Sequence, residues 1–286
     1  MTKSRYLFII LLMVAIVGAG GVFARRYSRS RYYDRRGVPN WTPSREFSHD
    51  IFTFARIRYS SGYGGGYYGR GYGRRGRGFS GGSWATDYPD SDLNFSFRLQ
   101  QLTSMQVHPE GVVLELTDPE LFNYPFIYIV EPGRLVFSEE EVECLRRYLL
   151  NGGFLMVDDF WGENEWDNFY YEIKRVFPDR EPVEVPLSHP IFHAVFDLKE
   201  RPQIPNIDMA LRGRPYGITW EREDAKQVHY KAIYDNKGRM MAFICHNTDL
   251  GDGWEREGEN EWYFHEFSEK KAYPLGINIV FYAMTH

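Results

Sequence analysis

The chain of 286 residues has only two cysteines, Cys144 and Cys245, too few for a disulfide framework or a multi-cysteine zinc site. It has no HExxH, no GxSxG and no Gly-Lys-Ser/Thr after its glycine-rich stretch. Zincin, serine-elbow and P-loop chemistry therefore lack their usual sequence carriers. Long apolar runs are scarce: one stands out, Tyr6 to Phe23. Acids are scarce at the front, where residues 25–88 carry 13 Arg against 4 acids. No internal repeat is visible.

What is present is enough for a sizeable core. Apolar residues make up 43% and aromatics 17%, which excludes wholesale disorder. Residues 89–286 reverse the charge of the front, with 19 Lys+Arg against 35 acids. So acidic a body is no nucleic-acid groove. At the N-terminus, Lys3 and Arg5 precede the apolar run, which ends at Val22-Phe23-Ala24, the layout of a secretory signal over residues 1–24. An uncleaved N-terminal anchor is the alternative, and either places the body outside the cytoplasm, periplasmic or extracellular. Arg25, Arg26, Arg29, Arg31, Arg35 and Arg36 follow directly, which the positive-inside rule disfavours for export.

Residues 25–46 read as an Arg/Tyr-rich linker suited to contact with an anionic membrane surface. Residues 47–286 read as one α/β domain, interrupted at 60–83 by a tract with 11 Gly, 4 Tyr and 4 Arg. Glycines at that density do not repay their ordering entropy, so the tract is expected to be a flexible flap.

Within the domain, Ile51–Tyr59 alternates Ile51, Thr53, Ala55, Ile57 and Tyr59 with mixed residues as a first strand, and Val112–Leu116, Phe126–Val130 and Phe154–Val157 are short apolar runs of buried-strand type. A helix capped by Asp90 or Ser91 is expected to turn Leu93, Phe97, Leu99 and Leu102 inward. Ser138 with Glu141 forms a capping box for a helix with Val142, Leu145 and Leu149 on one face, stopped at Gly152-Gly153. Glu165–Phe177 is expected to be helical, Val183–Val185 a short strand and 197–225 loop. Lys231–Tyr234 and Arg239–Cys245 form a hairpin around Asp235–Gly238, and a final helix begins near Pro274 with Ile277, Val280, Phe281 and Met284 on one face. Strands alternating with helices predict a parallel sheet with helices on both faces. Cys144 in the capped helix and Cys245 ending a strand both read as buried, inert thiols.

In such a sheet ligands sit beyond the carboxyl ends of the strands. Asp158-Asp159-Phe160-Trp161-Gly162-Glu163, the run Asn247 to Glu255 (NTDLGDGWE) and the tract after the first strand, with Asp87-Tyr88 at its far end, fall there. Paired carboxylates at a strand end can hold a hard cation or divide into acid and base. They can equally cap the next helix. NTDLGDGWE has the composition of a calcium loop without the acid spacing of an EF-hand, and a plain structured turn accounts for it as well. Trp161 and Trp254 are walls for a sugar or peptide, or anchors of their own loops. His189, before Pro190, is a turn or packing residue or a site acid.

LNGGFLMVDDFWG, SHPIF, HNTDLGDGWE and AYPLGINIVFYAMTH together resemble the bacterial family called domain of unknown function 4159, over roughly residues 48–286. The resemblance implies a flavodoxin-like fold similar to class I glutamine amidotransferases and ThuA-like proteins. In amidotransferases the corresponding strand ends in an elbow that carries the catalytic cysteine. Here it ends in Asp158 and Asp159, so the resemblance implies no cysteine-dependent activity. Relatives near MoxR-type ATPases and von Willebrand-type domains imply a cell-envelope role.

The expectation is thus an exported module that binds an envelope protein or glycan at a rim of Asp158, Asp159, Trp161, Asp249, Asp252 and Trp254. The alternative is a carbohydrate or amide hydrolase with Asp159 or Glu163 as base and His189 as acid. Neither a cofactor nor a nucleic-acid partner is assigned. A divalent metal held between the two acidic loops is the third reading.

Overall fold

A computed structural model of the chain describes residues 37–44, 46, 50–62 and 83–286. Residues 1–24, expected to be a signal segment, residues 25–36, expected to be linker, and residues 63–82 of the glycine-rich tract lie outside the described residues. Among the described residues no helix is long and apolar enough to cross a membrane.

The main sheet is built from β1 (Ala55–Ile57), β3 (Val112–Leu114), β4 (Phe126–Val130), β6 (Phe154–Asp158), β7 (Val183–Glu184), β8 (His229–Tyr234) and β9 (Met240–His246). Its order is β3-β1-β4-β6-β9-β8-β7. A small antiparallel pair, β2 (Ser60–Ser61) with β5 (Leu135–Val136), stands apart from it. The helices are α1 (Asp90–Leu102), α2 (Glu139–Leu150), α3 (Gly162–Val176), α4 (Ile207–Gly213), α5 (Leu250–Glu255), α6 (Glu261–Tyr263) and α7 (Tyr273–Thr285). A π-helical stretch, Phe264–Ala272, joins α6 to α7.

The strands alternate as their two-residue period requires. In β4, Phe126, Tyr128 and Val130 enter one core, shared with Phe95 and Leu99 of α1 and Leu275 and Ile279 of α7. Ile127 and Ile129 enter the other, shared with Val142 and Leu145 of α2 and Phe169 and Ile173 of α3. Both faces are therefore covered by helices, and a strand buried on both sides is apolar throughout.

The expectation of a parallel sheet needs correction, because the sheet is mixed. β3, β1, β4, β6 and β9 run parallel, while β8 is antiparallel to β9 and β7 to β8. The cause is the hairpin at Asp235–Gly238, where Gly238 has φ +82° and Asp235 Oδ1 accepts from the backbone of Lys237 and Arg239. A tight hairpin must return antiparallel.

Four smaller expectations also change. The cap of α1 is Pro89, with no side-chain bond, and its buried face is Leu93, Phe95 and Leu99, leaving Leu102 about half exposed. Residues 197–225 contain α4. The segment read as a loop, Leu250–Glu255, is helical, with Asp249 as its cap accepting from Asp252 N at 2.7 Å. Cys144 is partly exposed, while Cys245 is buried and its thiol is pushed up by burial. The end of the linker is docked: Trp41 Nε1 donates to Val107 O at 2.7 Å, and its ring lies 5.8 Å from that of Phe97.

Candidate functional site

Numbered among themselves, the five parallel strands lie 2-1-3-4-5, so the connection from β3 to β4 crosses over β1. The chain then leaves β1 and β4 toward opposite sides of the sheet, opening a crevice at their carboxyl ends. The connections leaving those ends bring acids to one place. β1 leads on to Asp87, β4 to Glu131, β6 to Asp158 and Asp159, and β9 to Asp249, Asp252 and Glu255.

Two sets of carboxylates converge closely. Asp87, Asp159 and Asp249 each offer an oxygen within 4.8 Å of the others, and so do Asp87, Asp252 and Glu255. Asp158, next to Asp159 at the end of β6, is fully buried. Its Oδ2 accepts from Tyr128 OH at 3.1 Å, Leu250 N at 2.9 Å and Gly251 N at 3.0 Å, and so fixes the start of α5. Gly251 has no room for a side chain: a Cβ there would stand 2.6 Å from Asp87 Oδ2 and 3.1 Å from Tyr128 OH.

The segment that carries Asp87 is anchored by Arg56 on β1, a guanidinium without solvent exposure. Arg56 pairs with Asp92 at 2.5 Å and donates to Ser91 Oγ, Trp84 O and Thr86 O, tying the 84–92 segment to the sheet. Over the other side, the 197–225 segment is strapped down. Ile204 N donates to Thr248 Oγ1, Asp249 N to Ile204 O, and Ile207 N to Asp252 Oδ2. Asn206 N donates to Glu221, which brings an eighth acid near the crevice.

Backbone strain gathers here. Asp87 (φ +61°), Glu131 (+47°), Asp159 (+57°) and Asn247 (+62°) are the non-glycine residues with positive φ among the described residues, and all four belong to these connections. Asp and Asn tolerate the left-handed region better than most residues, whereas Glu131 has no such excuse. Strain of this kind is held by its surroundings and collects at functional sites.

The electrostatics follow from burying like charges together. Burial raises the Asp158 carboxyl to about 7 against the hydrogen bonds that favour its charge. Asp159 is pushed well above the usual carboxylate range by burial, then by Glu131 and Asp87. Asp249 is pushed the same way by burial, then by Asp159 and Asp87, and Asp87 by burial, then by Glu255 and Asp252. Burial also takes Glu255 and Glu221 to about 7. Cations are few. Arg56 is committed to Asp92, and Arg256 lies 3.1 Å from Asp252 Oδ1 and 2.7 Å from Glu255 Oε2. An excess of buried carboxylates draws a cation, draws hydroxyl donors or keeps protons.

The structure thus brings together Asp158, Asp159, Asp249 and Asp252, four of the acids singled out in the sequence. Trp161 joins them, buried, with Nε1 donating to Asp159 Oδ1 at 3.2 Å. Trp254 is no wall: it is fully buried against Phe95, Phe54 and Tyr128, since its helix packs inward. Glu163 is exposed in the first turn of α3. His189 caps its own turn, Nδ1 accepting from Ile191 N, and its ring lies against Tyr282 of α7 rather than against the acids. Asp87 and Glu255, whose segments the sequence places at the strand ends, join them, and Glu131 and Glu221 complete the crevice without having been singled out. The usable signal for Glu131 was its place directly after β4.

No curated protein matches the chain. The family model described as domain of unknown function (DUF4159) matches residues 53–284, most of its length, and the chain belongs to that family.

Proposed function

We propose that the domain is a ligand-binding module of flavodoxin-like, amidotransferase-like build, with the carboxylate crevice as its binding site and no cysteine nucleophile. The observation that carries this is the delivery of acids from the ends of β1, β4, β6 and β9 to the point where the strand order reverses. That is where open α/β sheets take their ligands. Asp159 stands in the strained turn after β6 (φ +57°), the place where an elbow nucleophile would sit. Cys245 is buried within β9 and Cys144 lies on α2, so neither thiol supplies one.

An anionic pocket selects ligands that bring positive charge or many hydroxyl donors. A glycan, or a basic segment of an envelope protein, fits that chemistry and the exported setting expected from residues 1–24. The test is a thermal-shift screen of the full chain against cell-wall sugars and peptidoglycan fragments. A ligand at 100 times its Kd should stabilise by about 2.7 kcal/mol. Asp159→Asn should remove the shift. A shift untouched by Asp159→Asn would place the binding elsewhere.

A second reading, hydrolysis, draws on one observation. The Asp158 carboxyl, raised to about 7, stands beside Asp159, pushed well above the usual carboxylate range, and such a pair can divide into acid and base. Under that reading Asp159→Asn loses turnover about 100-fold or more, where a binding module loses only affinity.

A further inference from the structure

We propose that Asp87, Asp159 and Asp249 coordinate one hard divalent cation, of the calcium or magnesium class, at the floor of the crevice. The inference rests on the crevice being the ligand site and names what the ligand would find there. The three residues offer oxygens within 4.8 Å of one another, a span that a cation with oxygen ligands at about 2.0–2.6 Å can bridge. An all-oxygen set of this kind favours Ca2+, Mg2+ or Mn2+ over the softer metals.

An independent observation points the same way. Asp158 is fully buried, and its Oδ1 accepts no hydrogen bond, although Oδ2 accepts three. Asp87 Oδ2 is also buried without a hydrogen-bond partner, and it faces the space that a Gly251 side chain would fill, beside Tyr128 OH and Asp249 Oδ1. Buried oxygens left this way have room for an ion.

Arg256 decides which of the two carboxylate sets lacks its charge. Its guanidinium already serves Asp252 and Glu255. Asp159 and Asp249 are met by uncharged donors, Trp161 Nε1 and Asp252 N. The deficit therefore falls on the set of Asp87, Asp159 and Asp249. Glycine at 251 keeps that space open.

Asparagine variants separate charge from fold here. Asp87 and Asp159 have left-handed backbones, which asparagine accepts, and Asp249 caps α5, where asparagine caps as well as aspartate. The experiment is calorimetric titration of the full chain, stripped with a chelator, using CaCl2 and MgCl2 in separate runs. Melting curves check that each variant is folded.

The expected result is one site per chain, weakened at least 10-fold in Asp87→Asn and Asp249→Asn and unchanged in Glu143→Gln on the exposed side of α2. Should one of the two variants fail to fold, Asp159→Asn takes its place. Binding that survives these substitutions overturns the assignment. Absence of binding by either cation overturns the metal and leaves the glycan or peptide reading to stand on its own screen. Conversely, a bound cation with no ligand shift in that screen sinks the module reading and keeps the metal.

Discussion

Arg56 is buried without solvent exposure, and its five N–H donors are spread over Asp92, Ser91, Trp84 and Thr86. Its guanidinium also lies 5.0 Å from the centroid of the Tyr128 ring. Removing one partner of such a buried pair strands the other, at about 3–5 kcal/mol. Arg56→Met should lower the unfolding free energy by that amount in urea titrations. Arg56→Lys should fall in between, because one ammonium cannot reach acceptors spread around the edge of a planar guanidinium. Both should also weaken cation binding, since Arg56 places Asp87. An undiminished affinity in Arg56→Lys would show that the 84–92 segment holds Asp87 unaided. At this scale the sequence was partly legible. Asp158, Asp159, Asp249 and Asp252 follow apolar runs closely, so the strand-end rule finds them. The same rule reaches Asp87 at the far end of the glycine-rich tract, whereas Glu131 before Pro132-Gly133 looks like ordinary turn chemistry. Trp254 misleads because an aromatic among acids looks exposed until its packing is known.

The element that most exceeds its sequence is α5. Its two glycines suggest a loop, and propensity penalises each by about 1 kcal/mol relative to alanine. Packing overrides propensity here. At Gly253 a Cβ would come 2.5 Å from the Ala272 Cβ, and at Gly251 it would meet Asp87 and Tyr128. Gly251→Ala should therefore destabilise by about 1–3 kcal/mol despite its better helix propensity, a loss read from the shift in the denaturation midpoint. By contrast α2 was legible in full, because its signals are local. Ser138 accepts from Glu141 N and Glu141 returns to Ser138 N. Ser138→Ala should lower stability by about 1 kcal/mol, and no change at all would mean that α2 is held by packing alone. The 197–225 strap gave no signal for the opposite reason. Its hydrogen bonds run to Thr248, Asp249 and Asp252, partners that no local pattern can name.

At the scale of the whole molecule, two groups of buried titratable side chains pull stability in opposite directions over the same pH range. His246 is buried against Phe160 and Trp166, and burial lowers its pKa to about 4. Between its unfolded value near 6.5 and about 4, only the unfolded chain takes the proton, so this contribution is lost as pH falls through that window. Its size is about 3 kcal/mol at most. Glu221 and Glu255, raised to about 7 by burial, do the reverse. The folded protein keeps their protons after the unfolded chain has released them, so their contribution is lost as pH rises from about 4.5 to about 7. His246→Gln should flatten the acid limb of stability against pH and leave the neutral limb intact; an unchanged acid limb would remove His246 from the account. The architecture was legible to the level of α/β with covered faces, and the hairpin at Asp235–Gly238 was legible too. What was not legible is its neighbourhood. Local pattern shows that β8 and β9 pair, but not that β9 also joins β6 in the middle of the sheet and so makes the sheet mixed.

The pairing of β6 with β4, Val130 opposite Asp158, gives the crevice one more property. Successive strand residues point to opposite faces, so a slip by a single position would exchange the side of the sheet on which Asp158 emerges. The domain could then keep much of its secondary structure while its acids no longer met. The crevice works as a parity check on sheet assembly. A chain that has folded with the wrong register should betray itself by silence toward cations before it betrays itself in its circular dichroism.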